Sequence, residues 1–115
     1  MTYIYTDNHF TTEEEALAEI AAKGWFPAVV DKVVDEDEEL HWHDFNTIAF
    51  VVSGTSITAF EDGTVRYANA GCRVEAPGST IHRELAGSVY RVVYGFEVHP
   101  ATFSKPVKKP VASRR

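Results

Sequence analysis

The chain has 115 residues, 44% of them apolar, and a formal charge of −6; that is enough for one domain with its own core. A single cysteine, Cys72, excludes an internal disulfide, and no stretch approaches the roughly 18 apolar residues of a membrane span. Lys105, Lys108, Lys109, Arg114 and Arg115 all lie beyond residue 104, leaving six basic residues against seventeen acids before it, about −11, a charge that repels polyphosphate and argues against nucleic-acid binding.

Residues 2–6 are rich in β-formers and predict a short strand. Thr11-Thr12-Glu13-Glu14-Glu15 offers a capping box, with acids in the first turn where the helix dipole favours them. Ala16, Leu17, Ile20 and Ala21 then form an apolar stripe, and Lys23-Gly24 closes the helix with a cation and a C′ glycine. Residues 1–27 are thus expected as a strand and a short helix lying on the outside of a sheet, with Trp25-Phe26-Pro27 anchoring the exit. No basic n-region or long apolar run marks the N-terminus as a signal peptide, so a cytoplasmic protein is expected.

From Ala28 onward the pattern is all-β. Ala28–Val34 is a strand, and Asp35–Glu39 is a run of acids expected as a solvated loop, with a cation lure as its functional reading. Strands follow at 40–52, 55–61, 64–69, 72–76, 80–85 and 88–98, and Asp62-Gly63 marks a tight hairpin. Many short strands at such spacing predict a sandwich or barrel over 28–104. Residues 105–115, basic and punctuated by proline, read as a flexible tail.

The chemistry concentrates between His41 and His82. On a strand, His41 and His43 share a face about 7 Å apart, and two imidazoles so placed can chelate one ion. His82, just past Pro77-Gly78, can supply a third from a neighbouring strand. If those histidines face inward, so do Phe45, Thr47, Ala49 and Val51; the opposite row of Ile48, Phe50 and Val52 is apolar too. A strand apolar on both faces must be covered on both, by the N-terminal helix in part and by a second subunit for the rest, so a homodimer is expected. Asp44 has the wrong parity for the site. His9 and His99 are expected at the surface, and Cys72 as a small buried residue, not a nucleophile.

Together these residues resemble the cupin superfamily, small jelly-roll β-barrels with two motifs joined by a variable hairpin. In the first motif His41-x-His43 is present and Gly54 falls on the closing glycine, while Thr47 stands at the glutamate and Asp35 at the opening glycine. In the second, Gly71, Pro77 and His82 keep their spacing, the inner glycine moves forward to Gly78, and Ala86 replaces the asparagine. The resemblance covers residues 28–98 and implies an all-β, cupin-type jelly-roll β-barrel with one short N-terminal helix. It also implies a metal held by His41, His43 and His82 without the glutamate, as in the subset that includes thiol and β-diketone dioxygenases. Three neutral imidazoles favour Fe(II), Zn(II), Ni(II) or Cu(II) over hard ions and leave positions open for a chelating guest.

Three further residues are candidates for the chemistry. Thr47 is placed to orient a metal-bound water, and Glu84, two residues beyond His82, to swing in as a fourth ligand. Tyr90, Val92, Tyr94 and Phe96 alternate on the last strand as core and pocket wall, with the Tyr90 hydroxyl the candidate near the ion. The function expected is a metal-binding cupin acting as an oxygenase on a small metal-chelating compound. The alternatives are a non-catalytic module that binds a small ligand or metal, and a metal-independent sugar-nucleotide epimerase-like protein, for which Arg73, Arg83 and Arg91 are the only candidate phosphate partners.

Overall fold

A computed structural model describes residues 3–114. The elements in chain order are β1 (Ile4–Thr6), α1 (Glu13–Lys23), β2 (Phe26–Val33), β3 (His41–Trp42), β4 (Thr47–Phe60), β5 (Val65–Asn69), β6 (Arg73–Ala76), β7 (His82–Glu84), β8 (Val89–Phe96) and β9 (Lys109–Pro110). All nine strands belong to one rolled sheet and every pairing is antiparallel. The fold is thus the expected all-β barrel with one short helix.

Helix α1 forms where its capping signals stand. Thr12 Oγ1 accepts from the Glu15 amide at 3.2 Å, Glu15 returns the bond to the Thr12 amide, and Gly24 closes the helix at φ 72°; a cap of this kind contributes about 1 kcal/mol. The helix buries Ala16 and Ile20 against Ile48, Phe50 and Val93, with Ile20 alone contributing roughly 2 kcal/mol. The outer row of β4 is therefore covered by this chain's own helix, and Val52 is half-buried against the same cluster. Arg73 and Arg91 fasten the helix by its acids, to Glu19 at 2.7 Å and to Glu13 at 2.7 Å.

The Ser53-Gly54 turn expected between two strands is a bulge inside one 14-residue strand. β4 runs between β6 and β8 in its first half and between β5 and β7 in its second, and the register shift between Val51 and Ser53 lets it pass from one wall to the other. Gly54 sits there at φ 78°, where an added Cβ would lie 2.1 Å from the Val89 carbonyl oxygen. The glycine is needed for the approach of β8, a demand that local sequence does not distinguish from a turn.

The strand expected over 40–52 is likewise broken, with β3 ending at Trp42 and β4 starting at Thr47. The intervening loop is held by Asn46, whose Oδ1 accepts from the Gly78 amide at 2.8 Å and whose Nδ2 donates to Glu97 at 3.0 Å. Ser79, just past Gly78, adopts φ 71° and donates its amide to the His43 carbonyl at 2.6 Å. The Pro77–Ser79 turn is thereby fixed to the His43–Asn46 loop, which ties the first histidine motif to the second.

Residues 105–114, expected as a tail, lie across the barrel mouth. β9 pairs with β3 (His41 opposite Pro110, Trp42 opposite Lys109), and Trp42 Nε1 donates to the Pro110 carbonyl at 3.1 Å. Lys108 reaches Glu38 at 2.5 Å, and Phe103 stacks on Phe45 with centroids 3.8 Å apart. The attraction of this basic segment to the acidic run 35–39 draws it in, so that run is not merely solvated: Glu38 accepts from the Glu84 amide and Asp37 from the Ala86 amide.

Candidate metal centre

His41 and His82 are directly opposed across β3 and β7, and a non-local pair in that register brings side chains within contact. Their ring centroids are 4.5 Å apart, and His43 lies 5.1 Å from His41 and 5.2 Å from His82. One ligating atom from each falls within 4.8 Å of the others, which makes a group able to hold a metal ion.

The outer nitrogen of each ring is anchored. His41 Nδ1 donates to the Glu39 carbonyl, His82 Nδ1 to the Thr80 carbonyl and His43 Nδ1 to the Val107 carbonyl, each at 2.8 Å. A carbonyl oxygen can only accept, so the proton sits on Nδ1 and each Nε2 carries the lone pair. This is the tautomer a metal ligand needs, and anchoring of this type fixes ring orientation. Burial, reinforced by the neighbouring His41 and His43, pushes the His82 imidazolium down to about 4. Burial and His41 also hold His43 below its ordinary value, against the raising effect of the Val107 carbonyl. Both rings are therefore neutral near pH 7, and the donor set fits an imidazole-seeking divalent ion.

The histidines open on a cavity of about 260 Å³ inside the barrel. Thr47, Ala49 and Val51 of β4 line it with Phe45, and Tyr90, Val92, Tyr94 and Phe96 line it from β8, so the alternation expected for both strands is what places these side chains. Asp44 is exposed and bonded to Ser104. His9 pairs with Glu19, His99 caps the short helical turn at Pro100–Thr102, and Cys72 is buried, its thiol raised to about 11 by burial and by Asp7.

Glu84 lies on the inner face of β7 beside His82, but outside the ligand group. Its carboxylate receives Lys32 Nζ at 2.5 Å on one oxygen and the Tyr90 hydroxyl on the other. A carboxylate already held on both oxygens is satisfied where it stands, and the swing toward the ion is replaced by an ion pair within the barrel wall. Tyr94 joins the group by accepting from Lys32 at 3.5 Å. Burial opposes charge on Lys32, yet Tyr94 and Glu84 outweigh it, so the ammonium is held well above its ordinary value. Burial foremost, then Tyr94 and Glu84, raise Tyr90 far beyond the usual phenol.

Lys32, Thr80 and Val107 are among the site residues that sequence alone does not single out. Lys32 carries a signal, since it shares the inward row of its strand with Ala28 and Val30. Thr80 and Val107 carry none, because each contributes a backbone carbonyl. Arg73 and Arg91 are spent on the outside of the barrel against α1, Glu75 and Asp31, and Arg83, of opposite parity to His82 and Glu84, is not part of the cavity lining. None of the three arginines expected as phosphate partners of an epimerase-like site therefore lines the cavity.

No protein-family model matches the chain, and no curated protein matches it. Among solved structures it is similar to a DUF861 family protein from Thermotoga maritima, at 19% identity and TM-score 0.57 over 83% of this chain and 99% of that one. It is similar as well to acireductone dioxygenase from Bacillus anthracis, which carries a cadmium ion in its active centre, at 21% identity and TM-score 0.57 over 85% and 79%. A Neisseria meningitidis protein matches at 21% identity and TM-score 0.50 over 64% and 84%. At these identities the likeness establishes the architecture: the chain has the cupin jelly-roll fold.

Proposed function

We propose that the chain is a metal-binding cupin that acts as an oxygenase on a small metal-chelating compound, with His41, His43 and His82 as ligands. The observation that carries this is the trio of Nδ1-anchored rings, which leaves three lone pairs facing one another with no carboxylate in the group. When bound, Fe(II), Zn(II) or Ni(II) supplies Lewis acidity and open coordination positions, and iron supplies electrons to O₂. The protein's own part is to hold the guest: Phe45, Phe96 and Phe103 exclude water at the mouth, Thr47 offers a hydroxyl along the wall, and Tyr90, whose hydroxyl donates to Glu84, offers an oxygen that accepts. The dioxygenase among the structural neighbours supports the reaction class.

Oxygen consumption by Fe(II)-loaded protein across a panel of diketones, thiols and phenolics tests the proposal. Uptake that is lost in His82→Ala is expected. Stoichiometric metal with no uptake for any compound assigns the barrel instead to binding without turnover. One observation favours that second reading: the two carboxylates lining the cavity among the described residues, Glu84 and Glu38, are each bonded on both oxygens and are not free bases. In either case we propose a homodimer, for which the exposed valines Val29, Val33 and Val89 of β2 and β8 offer an apolar surface; a monomer by light scattering at micromolar concentration removes that part.

A further inference from the structure

Lys32 is the cation whose place in the barrel the metal centre leaves unexplained. Its ammonium has three N–H donors; Glu84 takes one and Tyr94 another, while Lys32 itself lines the cavity. The third donor has no hydrogen-bond acceptor among the described residues, the Tyr90 ring lying 5.9 Å from the ammonium. Even partial burial of so strongly hydrated a head group is costly, and the pair with Glu84 offsets that cost and constrains the direction in which the remaining N–H points.

The electrostatics of the cavity define what that donor meets. Three neutral imidazoles leave the charge of a divalent ion uncompensated, and the Lys32–Glu84 pair is neutral as a unit. The guest that completes such a site is an anion. His82 and Glu84 are alternate residues on one strand, about 7 Å apart at the backbone, so ion and ammonium are separated by the length of a few bonded atoms. A cavity of about 260 Å³ falls below the roughly 300–1,000 Å³ of drug-sized ligands, which sets the scale of the guest.

Building on the metal reading, we propose that Lys32 is the specificity-determining residue of the cavity. It donates its remaining N–H to the far oxygen of a short organic anion, a diacid or keto acid, whose near end faces the three histidines. Glu84 and Tyr94 are positioning residues, because they act on the guest through Lys32. A monoacid of the same length fills the same space but leaves the half-buried Lys32 donor unpaired, and that is the source of discrimination.

The test is calorimetry on zinc-loaded protein with succinate against butyrate, alongside zinc content. Wild type prefers succinate by at least about tenfold, the worth of one hydrogen bond to a charged donor. Lys32→Met reduces the preference below about threefold and leaves bound zinc unchanged, while Lys32→Arg keeps most of it. Should Lys32→Met fail to fold through the stranded Glu84, the double variant Lys32→Met/Glu84→Gln gives the same readout without a lone buried charge. Stoichiometric zinc with equal affinity for both acids, or a preference that persists in the methionine variants, overturns the role of Lys32 alone. Absence of zinc binding in wild type overturns the metal centre, and this inference with it.

Discussion

Two polar groups share the inner wall of the barrel and are built in opposite ways. Each histidine spends its outer nitrogen on a backbone carbonyl and keeps the inner one bare. Glu84, one strand step away, spends both oxygens on side chains of the same wall. The first arrangement leaves its inner lone pairs free for a cation; the second carries its own counter-charge. Inward parity on a strand puts a residue in the cavity, but the partners on neighbouring strands decide whether it is available to a guest.

The largest effect separates the two groups outright. His82→Ala is expected to abolish stoichiometric zinc binding by calorimetry and to leave a folded barrel, since it removes a lone pair and not an ion-pair partner. Retention of tight zinc would place the site elsewhere. Glu84→Ala should do the reverse, lowering stability by roughly 3 kcal/mol through the unpaired Lys32 and changing zinc affinity by less than about threefold. Denaturant titration and calorimetry on one preparation decide it, and a large loss of zinc affinity would make Glu84 a ligand after all.

Much of this was legible in the sequence because it depends on local alternation. His41, His43, Phe45, Thr47, Ala49 and Val51 line the cavity as their spacing requires, although the strand is interrupted between Trp42 and Thr47. The loop between them preserves the phase that a continuous strand would have had. The capping box at Thr12 was equally readable, being complete within four residues. The bulge at Gly54 was not, because its cause is the backbone of Val89, far along the chain. Nor were the bonds of Lys32 to Glu84 and of His43 to Val107, which span 52 and 64 residues. The C-terminal segment misled for a related reason: its basic charge suits solvent, but the acidic mouth of the barrel suits it better.

That segment yields the next prediction. Ending the chain after Thr102 removes the Val107 carbonyl and the Phe103 stack, so His43 loses its anchor while His41 and His82 keep theirs. Zinc affinity should fall by about 10–100-fold, the usual cost of losing a partner behind a ligand; an unchanged affinity would mean that two anchored rings suffice.

The smallest effect concerns acid. Burial alone would raise the Glu38 carboxyl, but the Lys108 ammonium and the Glu84 amide hold it below its ordinary value. Its contribution is therefore present above the unfolded carboxylate value of about 4.3 and is lost as the pH falls through the lower folded one. Lys108 is largely exposed, so the pair contributes less than about 1 kcal/mol. Trp42 emission, followed in a Trp25→Phe background, should shift below about pH 4 as β9 leaves β3, and Lys108→Ala should remove the transition.

The most direct measurement is X-ray absorption at the zinc edge of the loaded protein. Three imidazoles, with the remaining positions filled by solvent oxygen, and a spectrum unchanged in Glu84→Gln, are the result expected. Fewer than three imidazoles, or a spectrum that shifts when Glu84 loses its charge, would contradict a centre built from His41, His43 and His82 alone.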